Sequence, residues 1–497
     1  MAIDGIGLRS SYLSSSLLNV RSQLEQLQQQ LGTGKKSDTY AGLGTDRSFS
    51  IGLRSQLSNL ASYKDTIANV NTRLSIGNSV LQRLIEVGST VKTSAAGSNT
   101  QLQDGGQTMA QVQARDSLVE MLQLLNIQSG DRYLFSGRAT DTPAVASADD
   151  ILEGKGAQAG LKQLIVERKQ ADLGADGLGR LAITAPTTTS VQIAEDVAGS
   201  PFGLKLDAIT SSLTGASITG PSGSPAAMSV DLPVNPGVGE TIKFSFSLPD
   251  GSKESIELTA SSSTPLQPGE FLIGATSDET AANLQTALTD ATEKLANTSL
   301  VAASALAASD NFFNASPPLR VDGPPFDSAT SLIAGTPANT VSWYTGESGT
   351  DSARGTAVAR IDQSITVQYG ARANEEGLRW QIQTIAAFAA VTTLPADTNA
   401  GGQVQALNER ISSSLAPQTG QQSIQNIQSE FAGTQTAVKA ASDRQALTTS
   451  MTQTMLDGIE GISEEEVIAK ILALQTSLQA SYQTTAMLYQ TSLLKYI

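Results

Sequence analysis

The sequence predicts an α+β protein, an elongated helical bundle built from paired N- and C-terminal coiled-coil helices with a β-containing middle insert. Three observations indicate this fold class. Apolar residues recur at helical spacing in both flanks of the 497-residue chain. Prolines interrupt helices, and 15 of the 17 lie between Pro143 and Pro337. Apolar and polar residues alternate within this proline-rich middle, which is typical of strands.

The N-terminal flank predicts two long helices joined by a hinge. The first helix carries the a/d stripe of a coiled coil, formed by Leu17, Val20, Leu24, Leu27 and Leu31. Glycines within 32–44 then break the pattern and predict a flexible connection. The second stripe recurs every seven residues, through Leu53, Leu60, Ile67, Leu74 and Leu81. It predicts a rod of roughly 60 Å, and a third helix is predicted at about 108–128.

The C-terminal flank mirrors the N-terminal one. Its apolar residues are Leu407, Ile411, Leu415, Ile424, Ile427 and Phe431. The last helix is predicted to begin at Ser463, a suitable N-cap, with carboxylates at 464–466 near the positive helix end. Its stripe runs through Val467, Ile471, Leu474 and Leu478, and Tyr482, Tyr489 and Tyr496 continue it at intervals of seven.

Each end helix has one apolar stripe and therefore needs a partner. The predicted packing residues are Leu17, Leu24, Leu31, Leu474, Leu478, Tyr482, Tyr489 and Tyr496. For the three tyrosines two interpretations remain open, ordinary core within one bundle or contacts between subunits.

The middle of the chain changes character. Residues 242–248 alternate apolar with polar, Pro249-Asp250-Gly251 supplies a turn, and the alternation resumes at Ile256 and Leu258. This pattern predicts a β-hairpin. Ser277-Asp278 is predicted to cap a short helix that reaches Leu295. The middle is therefore expected to be mostly β or α+β.

These patterns predict three regions. A terminal coiled-coil domain combines residues 1–34 and 463–497. A helical rod combines 45–140 and 356–462. A surface insert covers 141–355, and we expect it to lie outside the helical stripes.

Composition argues against several functions. The formal net charge of −15 repels nucleic acids and anionic membranes. Cysteine and histidine are absent, which removes disulfides, thiolate metal sites and the commonest proton-transfer side chain. No apolar run reaches the roughly 18 residues needed to span a bilayer, and the start lacks the pattern of a cleavable signal. We therefore predict no catalytic, metal-binding or cofactor-binding residues, no nucleic-acid partner and no membrane insertion.

Several segments resemble the bacterial flagellins and flagellar hook-associated proteins. Two of them, L-G-T-G-K-K at Leu31–Lys36 and N-V-N-T-R-L-S-I at Asn69–Ile76, are similar to segments of both kinds of subunit. G-D-R-Y-L-F-S-G at Gly130–Gly137, followed by T-D-T-P, is similar to the hook-filament junction protein, and so is the ending from Leu478 onward. V-Q-Y-G-A-R-A-N-E-E-G-L-R-W at Val367–Trp380 recurs in both kinds of subunit.

The resemblance covers roughly the first 143 and the last 140 residues. It implies an extracellular structural subunit of the flagellum, exported without signal cleavage and not an enzyme. It also implies self-association or contacts with other axial proteins, such as hook-associated proteins and flagellin, and an export chaperone as a further partner. The hook-filament junction protein is the preferred member, and a filament flagellin is the alternative.

Two alternatives belong to other classes. A carbohydrate-acting enzyme with helical arms would need convergent buried carboxyl groups in the middle region. A coiled-coil adhesin or secreted effector would lack pairing between the two chain ends. A zinc protease of the H-E-x-x-H type is excluded because the chain has no histidine.

Overall fold

A computed structural model of the protein describes residues 4–97 and 100–493 and has a mixed α+β fold. The helices are α1 (Asp4–Thr33), α2 (Arg47–Ala96), α3 (Met109–Leu125), α4 (Ala148–Glu153), α5 (Leu161–Leu173), α6 (Ser277–Leu295), α7 (Val301–Asn314), α8 (Glu376–Ala390), α9 (Ala400–Ser414), α10 (Ile424–Glu460) and α11 (Glu464–Leu493). Shorter helical turns cover Tyr40–Asp46, Ala296–Leu300 and Ala353–Thr356.

The strands are short and lie mostly in the middle of the chain. They are β1 (Gln128–Ser129), β2 (Arg132–Tyr133), β3 (Gly154–Lys155), β4 (Gln158–Ala159), β5 (Leu181–Thr184), β6 (Ser190–Glu195), β7 (Lys205–Ser211), β8 (Ser217–Ser222), β9 (Ala227–Asp231), β10 (Thr241–Ser247), β11 (Lys253–Ser261), β12 (Glu270–Leu272), β13 (Leu319–Val321), β14 (Leu332–Ala334), β15 (Val358–Arg360) and β16 (Thr366–Gln368).

Polar side chains fix where several helices begin. The hydroxyl of Ser463 accepts a hydrogen bond from the Glu466 amide at 3.3 Å, so the predicted cap of α11 is confirmed. The predicted cap of α6 is wrong by one residue, because the hydroxyl that accepts from the Glu279 amide belongs to Thr276. The third helix begins with a reciprocal capping box between Thr108 and Gln111.

The described chain divides into two compact units. The first contains the residues up to Asn71, the segment Ala359–Val367 and the residues from Gln435 onward. The second contains Thr72–Val358 and Gln368–Thr434. The three-region division made from the sequence stays a prediction.

The second unit contains two four-stranded sheets. One has the order β5-β6-β9-β8, and the other has the order β12-β11-β10-β7. The predicted hairpin is confirmed, because β10 pairs antiparallel with β11 with Phe244 opposite Ile256. Gly251 supports its turn with a φ of +81°, a conformation that glycine adopts without strain.

The two sheets share one apolar core with α6. Fully buried members of this core include Ile193, Met228 and Val230 from one sheet, Phe244, Phe246 and Leu258 from the other, and Leu284 and Leu288 from α6. Alternation along β10 places its aromatic residues on this inner face, while Lys243 is exposed.

Helices form a further packed layer of the second unit. Helix α3 packs against α8, α5 against α7, and α7 against both α8 and α9. Almost all of α8 is buried, including Ile382, Ile385 and Phe388. Helices α5 and α7 belong to the predicted insert and α8 to the predicted rod. In the structure these three helices pack against one another within the second unit.

Helices α2 and α10 also meet within the second unit. A Cβ atom on Gly77 would lie 2.8 Å from the Phe431 ring, so glycine allows this ring to lie close to α2. Further along, Nε2 of the Gln428 side chain donates to Oε1 of Gln82 at 3.4 Å. Residue numbers rise along one helix as they fall along the other, which makes the pairing antiparallel.

Candidate functional site

The structure brings the two chain ends together in the first unit. Helix α1 packs against α11, as their complementary stripes predict. Of the predicted packing residues, Leu17, Leu24, Leu31, Leu474 and Leu478 are all half-buried. Val467 and Ile471 at the start of the α11 stripe are buried. A single chain therefore covers these stripes only in part.

The structure describes the side chain of one of the three predicted packing tyrosines, Tyr482. Tyr482 is 55% exposed, so its side chain is largely free of core packing in one chain. The side chain of Tyr489 and all of Tyr496 lie outside the described residues. Whether the tyrosines serve the bundle or contacts between subunits stays open.

Helix α10 carries a second apolar face that the sequence interpretation missed. Leu447, Met451 and Met455 are 68%, 64% and 57% exposed, and their spacing of four places them side by side. The buried residues Gln445 and Leu456 of the same helix lie on a different side. An aligned row of large exposed apolar side chains is typical of an interaction surface.

Other exposed apolar side chains lie in the same unit. They are Tyr12 and Leu18 on α1, Phe49 and Ile51 on α2, and Ile468 and Leu472 on α11. The four-residue spacing of the α10 row could have been found in the sequence.

The loops that connect the end helices to α2 and α10 are joined by backbone hydrogen bonds. The amide of Lys36 donates to the Glu460 carbonyl at 2.7 Å, and the amide of Ile462 donates to the Gly34 carbonyl at 3.2 Å. We call this pair of hydrogen bonds the loop clamp. Gly34 has a φ of +68°, so glycine is required where L-G-T-G-K-K turns.

The Glu460 side chain reinforces the loop clamp. Its carboxylate accepts hydrogen bonds from Arg54 Nε at 2.7 Å, Arg54 Nη2 at 2.5 Å and Ser50 Oγ at 2.5 Å. The hydrogen bonds from Arg54, followed by that from Ser50, lower the pKa of Glu460 to about 2. The carboxylate is therefore ionised at neutral pH and holds the end of α10 against the start of α2.

Three of the segments that resemble flagellar subunits meet in the second unit, and they are Asn69–Ile76, Gly130–Gly137 and Val367–Trp380. The Ala373 amide donates to the Phe135 carbonyl at 2.8 Å, and the Gly137 amide donates to the Ala371 carbonyl at 3.1 Å. Phe135 is fully buried there. Arg73, from the Asn69–Ile76 segment, donates to the Tyr369 hydroxyl at 3.2 Å. The three segments therefore contact one another within one part of the fold.

Ion pairs surround this meeting point. Arg354 bonds Glu375, also contacts Glu430 at 3.0 Å, and lies over the Phe431 ring at 4.7 Å. Burial raises the pKa of Glu375, and the charge of Arg354 opposes that rise. Arg354 balances the buried charge of Glu375, and Glu430 is half exposed to solvent, so this network fixes the chain without leaving an unpaired buried charge.

The buried carboxylates are likewise held by arginines. Glu167 bonds Arg320, and Asp172 contacts Arg168 at 2.8 Å. In the described part of the chain, no three His, Cys, Asp or Glu side chains are placed to hold a metal ion. Within residues 4–97 and 100–493, no helix is long and apolar enough to cross a membrane.

No family model matches this chain, and no curated protein sequence is significantly similar to it.

Proposed function

We propose that this protein is a structural subunit of the bacterial flagellum, of the hook-filament junction type. In this proposal the terminal helices form an elongated coiled-coil bundle and assemble by packing against those of neighbouring axial subunits. The protein acts outside the cell, after export without signal cleavage and with the help of an export chaperone.

The observation that carries the proposal is the incomplete burial of the end helices. Helices α1 and α11 pack together, yet Leu24 and Leu474 remain half-buried and Tyr482 is exposed. Helix α10 adds the exposed row of Leu447, Met451 and Met455. Apolar area of this kind is stabilised when neighbouring subunits cover it. A heterologous, non-closing contact would then extend into a helical tube.

The alternatives from other classes have less support. Contact between α1 and α11 within one chain counts against a coiled-coil adhesin or secreted effector. A carbohydrate-acting enzyme needs two convergent carboxyl groups, one of which must be protonated or free to move protons. The buried carboxylates Glu167, Asp172 and Glu375 are instead held by arginines.

Electron microscopy tests the proposal and separates the two flagellar members. Immunogold labelling of intact cells should mark the end of the hook for a junction subunit, whereas a filament flagellin would be labelled along the whole filament. Cells lacking the protein should have bare hooks and release filament subunits into the medium. Labelling away from flagella, together with normal filaments in the deleted strain, would refute both versions.

A further inference from the structure

A cleft of about 890 Å³ opens in the second unit among the β10–β11 turn, α7, α8 and α9. Its volume lies within the roughly 300–1,000 Å³ range of small-molecule sites. The flagellar proposal assigns it no role.

One wall of the cleft carries the carboxylate of Asp310 and the side-chain amides of Asn314 and Gln383. Asn314 Nδ2 donates to Asp310 Oδ1 at 2.7 Å and to Gln383 Oε1 at 3.2 Å, and Gln383 Nε2 lies 3.4 Å from Asp310 Oδ1. These bonds fix the orientation of the exposed Asp310 carboxylate. Among the described residues, its Oδ2 takes no hydrogen bond and so remains available as an acceptor.

A second wall is formed by an ion pair at the hairpin turn. Arg410 Nε contacts Asp250 Oδ2 at 3.0 Å, and the other oxygen of Asp250 accepts from the Ser252 amide at 3.0 Å. Arg410 also reaches Glu254 at 3.2 Å. This wall is therefore rigid, and its charges are largely neutralised before any ligand arrives.

Arg168 contributes hydrogen-bond donors to the cleft. Its Nε bonds Asp172 at 2.8 Å, its Nη2 donates to the Pro201 carbonyl at 2.9 Å, and its guanidinium lies 5.1 Å from the centre of the Phe202 ring. Within the part of the chain that the structure describes, Nη1 donates no hydrogen bond. Because Arg168 lines the cleft, its guanidinium can supply a donor there, as Asp310 supplies an acceptor.

Apolar surface completes the lining. Trp380 is half-buried, and its Nε1 donates to the Ser414 carbonyl at 2.7 Å, which fixes the ring. Leu306, which is half-buried, lies beside the polar groups. A site of this kind suits a ligand with one apolar face and hydroxyl groups around its edge.

The charge of the lining selects between ligand classes. Its charged residues are two arginines, Arg168 and Arg410, and two aspartates, Asp250 and Asp310. Asp172 and Glu254 also lie against these arginines, so carboxylates are at least as numerous as cations around the cleft. In a chain with a net charge of −15, such a cleft has no excess of positive charge for a phosphate or carboxylate. A neutral polyhydroxyl compound fits better.

We propose that this cleft binds a neutral oligosaccharide. A sugar ring carries hydroxyl groups that both donate and accept, which match Arg168 and Asp310, and it has a C–H face that can lie on Trp380. The proposal covers binding and not hydrolysis, since Arg410 holds the Asp250 carboxylate. It goes beyond the flagellar proposal and does not depend on it.

Ligand-observed saturation-transfer NMR on the full chain tests this inference. The neutral probes are maltotriose, cellotriose and diacetylchitobiose at about 10 mM, which detects even weak millimolar binding. Sialyllactose serves as the anionic probe. We expect saturable binding of at least one neutral probe and a weaker signal from sialyllactose.

Matched variants locate the site. Asp310→Ala should lower the affinity about tenfold, the loss typical of a hydrogen bond to a charged group. Asn314→Ala should have a similar effect, because Asn314 positions the Asp310 carboxylate. Asp290→Ala removes an exposed aspartate on α6 and should leave binding unchanged. Circular dichroism checks that each variant is folded. The proposal is overturned if no neutral probe binds, if only sialyllactose binds, or if binding survives both cleft substitutions.

Discussion

Replacing Glu460 by Gln should loosen the loop clamp. The substitution keeps the size of the side chain but removes the charge that accepts two hydrogen bonds from Arg54. Hydrogen bonds to charged groups contribute about 1.5–3 kcal/mol each. Because the Arg54 side chain is 43% exposed, solvent screens part of this, and we expect a combined loss of about 2 kcal/mol.

Hydrogen exchange measures this loss locally, which matters because a chain with two compact units need not unfold in one step. The reporters are the amides of Lys36 and Ile462, which form the clamp. A loss of about 2 kcal/mol corresponds to roughly thirtyfold faster exchange. Glu465→Gln removes an exposed carboxylate from the same unit and should leave both reporters unchanged.

The pH dependence gives the sign of the effect. The pKa of Glu460 is lowered in the folded protein, from an ordinary 4.5 to about 2. Its stabilisation is therefore complete above pH 4.5 and is lost as the pH falls towards 2. The difference between wild type and Glu460→Gln should shrink over this range. Equal exchange in the two proteins at pH 7, or a difference that persists unchanged at pH 2, would refute the assignment.

Three further predictions concern the first unit. Leu24→Asp should cost about 1–3 kcal/mol of helix pairing and stop incorporation into flagella while the second unit stays folded; normal motility would contradict it. Met451→Glu should block assembly without lowering thermal stability, because Met451 is exposed. The control Ser450→Glu changes the neighbouring residue on α10 and should assemble normally. If the two variants behave equally in a motility assay, the row of Leu447, Met451 and Met455 is not an assembly surface. In dilute monomer, the backbone amides of α1 should exchange hydrogen far faster than those of α3, because the described side chains of α1 are at most half-buried. Hydrogen exchange read by mass spectrometry tests this. Equal protection of the two helices would show that a single chain suffices to order α1.

Features set by local periodicity could be predicted from the sequence. The seven-residue recurrence from Leu53 to Leu81 lies within one continuous helix, and helices α1 and α11 pack against each other. The β10–β11 hairpin follows from alternation and a glycine turn, and the Ser463 cap follows from its hydroxyl. In each case the information lies within a few neighbouring residues.

Features that depend on distant contacts could not be predicted. Glu460 lies 406 residues from Arg54, and Arg410 lies 160 residues from Asp250, so no local pattern connects either pair. The N-cap of α6 is Thr276 and not the predicted Ser277. Thr and Ser are nearly equivalent N-caps, so only the backbone geometry decides which of two neighbouring residues takes this position. The alanine-rich α7 carries few bulky apolar residues, and its burial depends on which helices close over it.

The loop clamp also determines how the first unit can carry mechanical load. Gly34 pairs with Ile462 on the side of the end helices, and Lys36 pairs with Glu460 on the side of α2 and α10. A force applied jointly to α1 and α11 therefore acts on both connecting segments, Gly34–Lys36 and Glu460–Ile462, at the same end. The two segments then tend to move together rather than slide past each other. The Arg54–Glu460 ion pair joins α2 to α10 beside them. Tension or torque on the paired ends is passed to both long helices at once, so neither connection has to bear it alone.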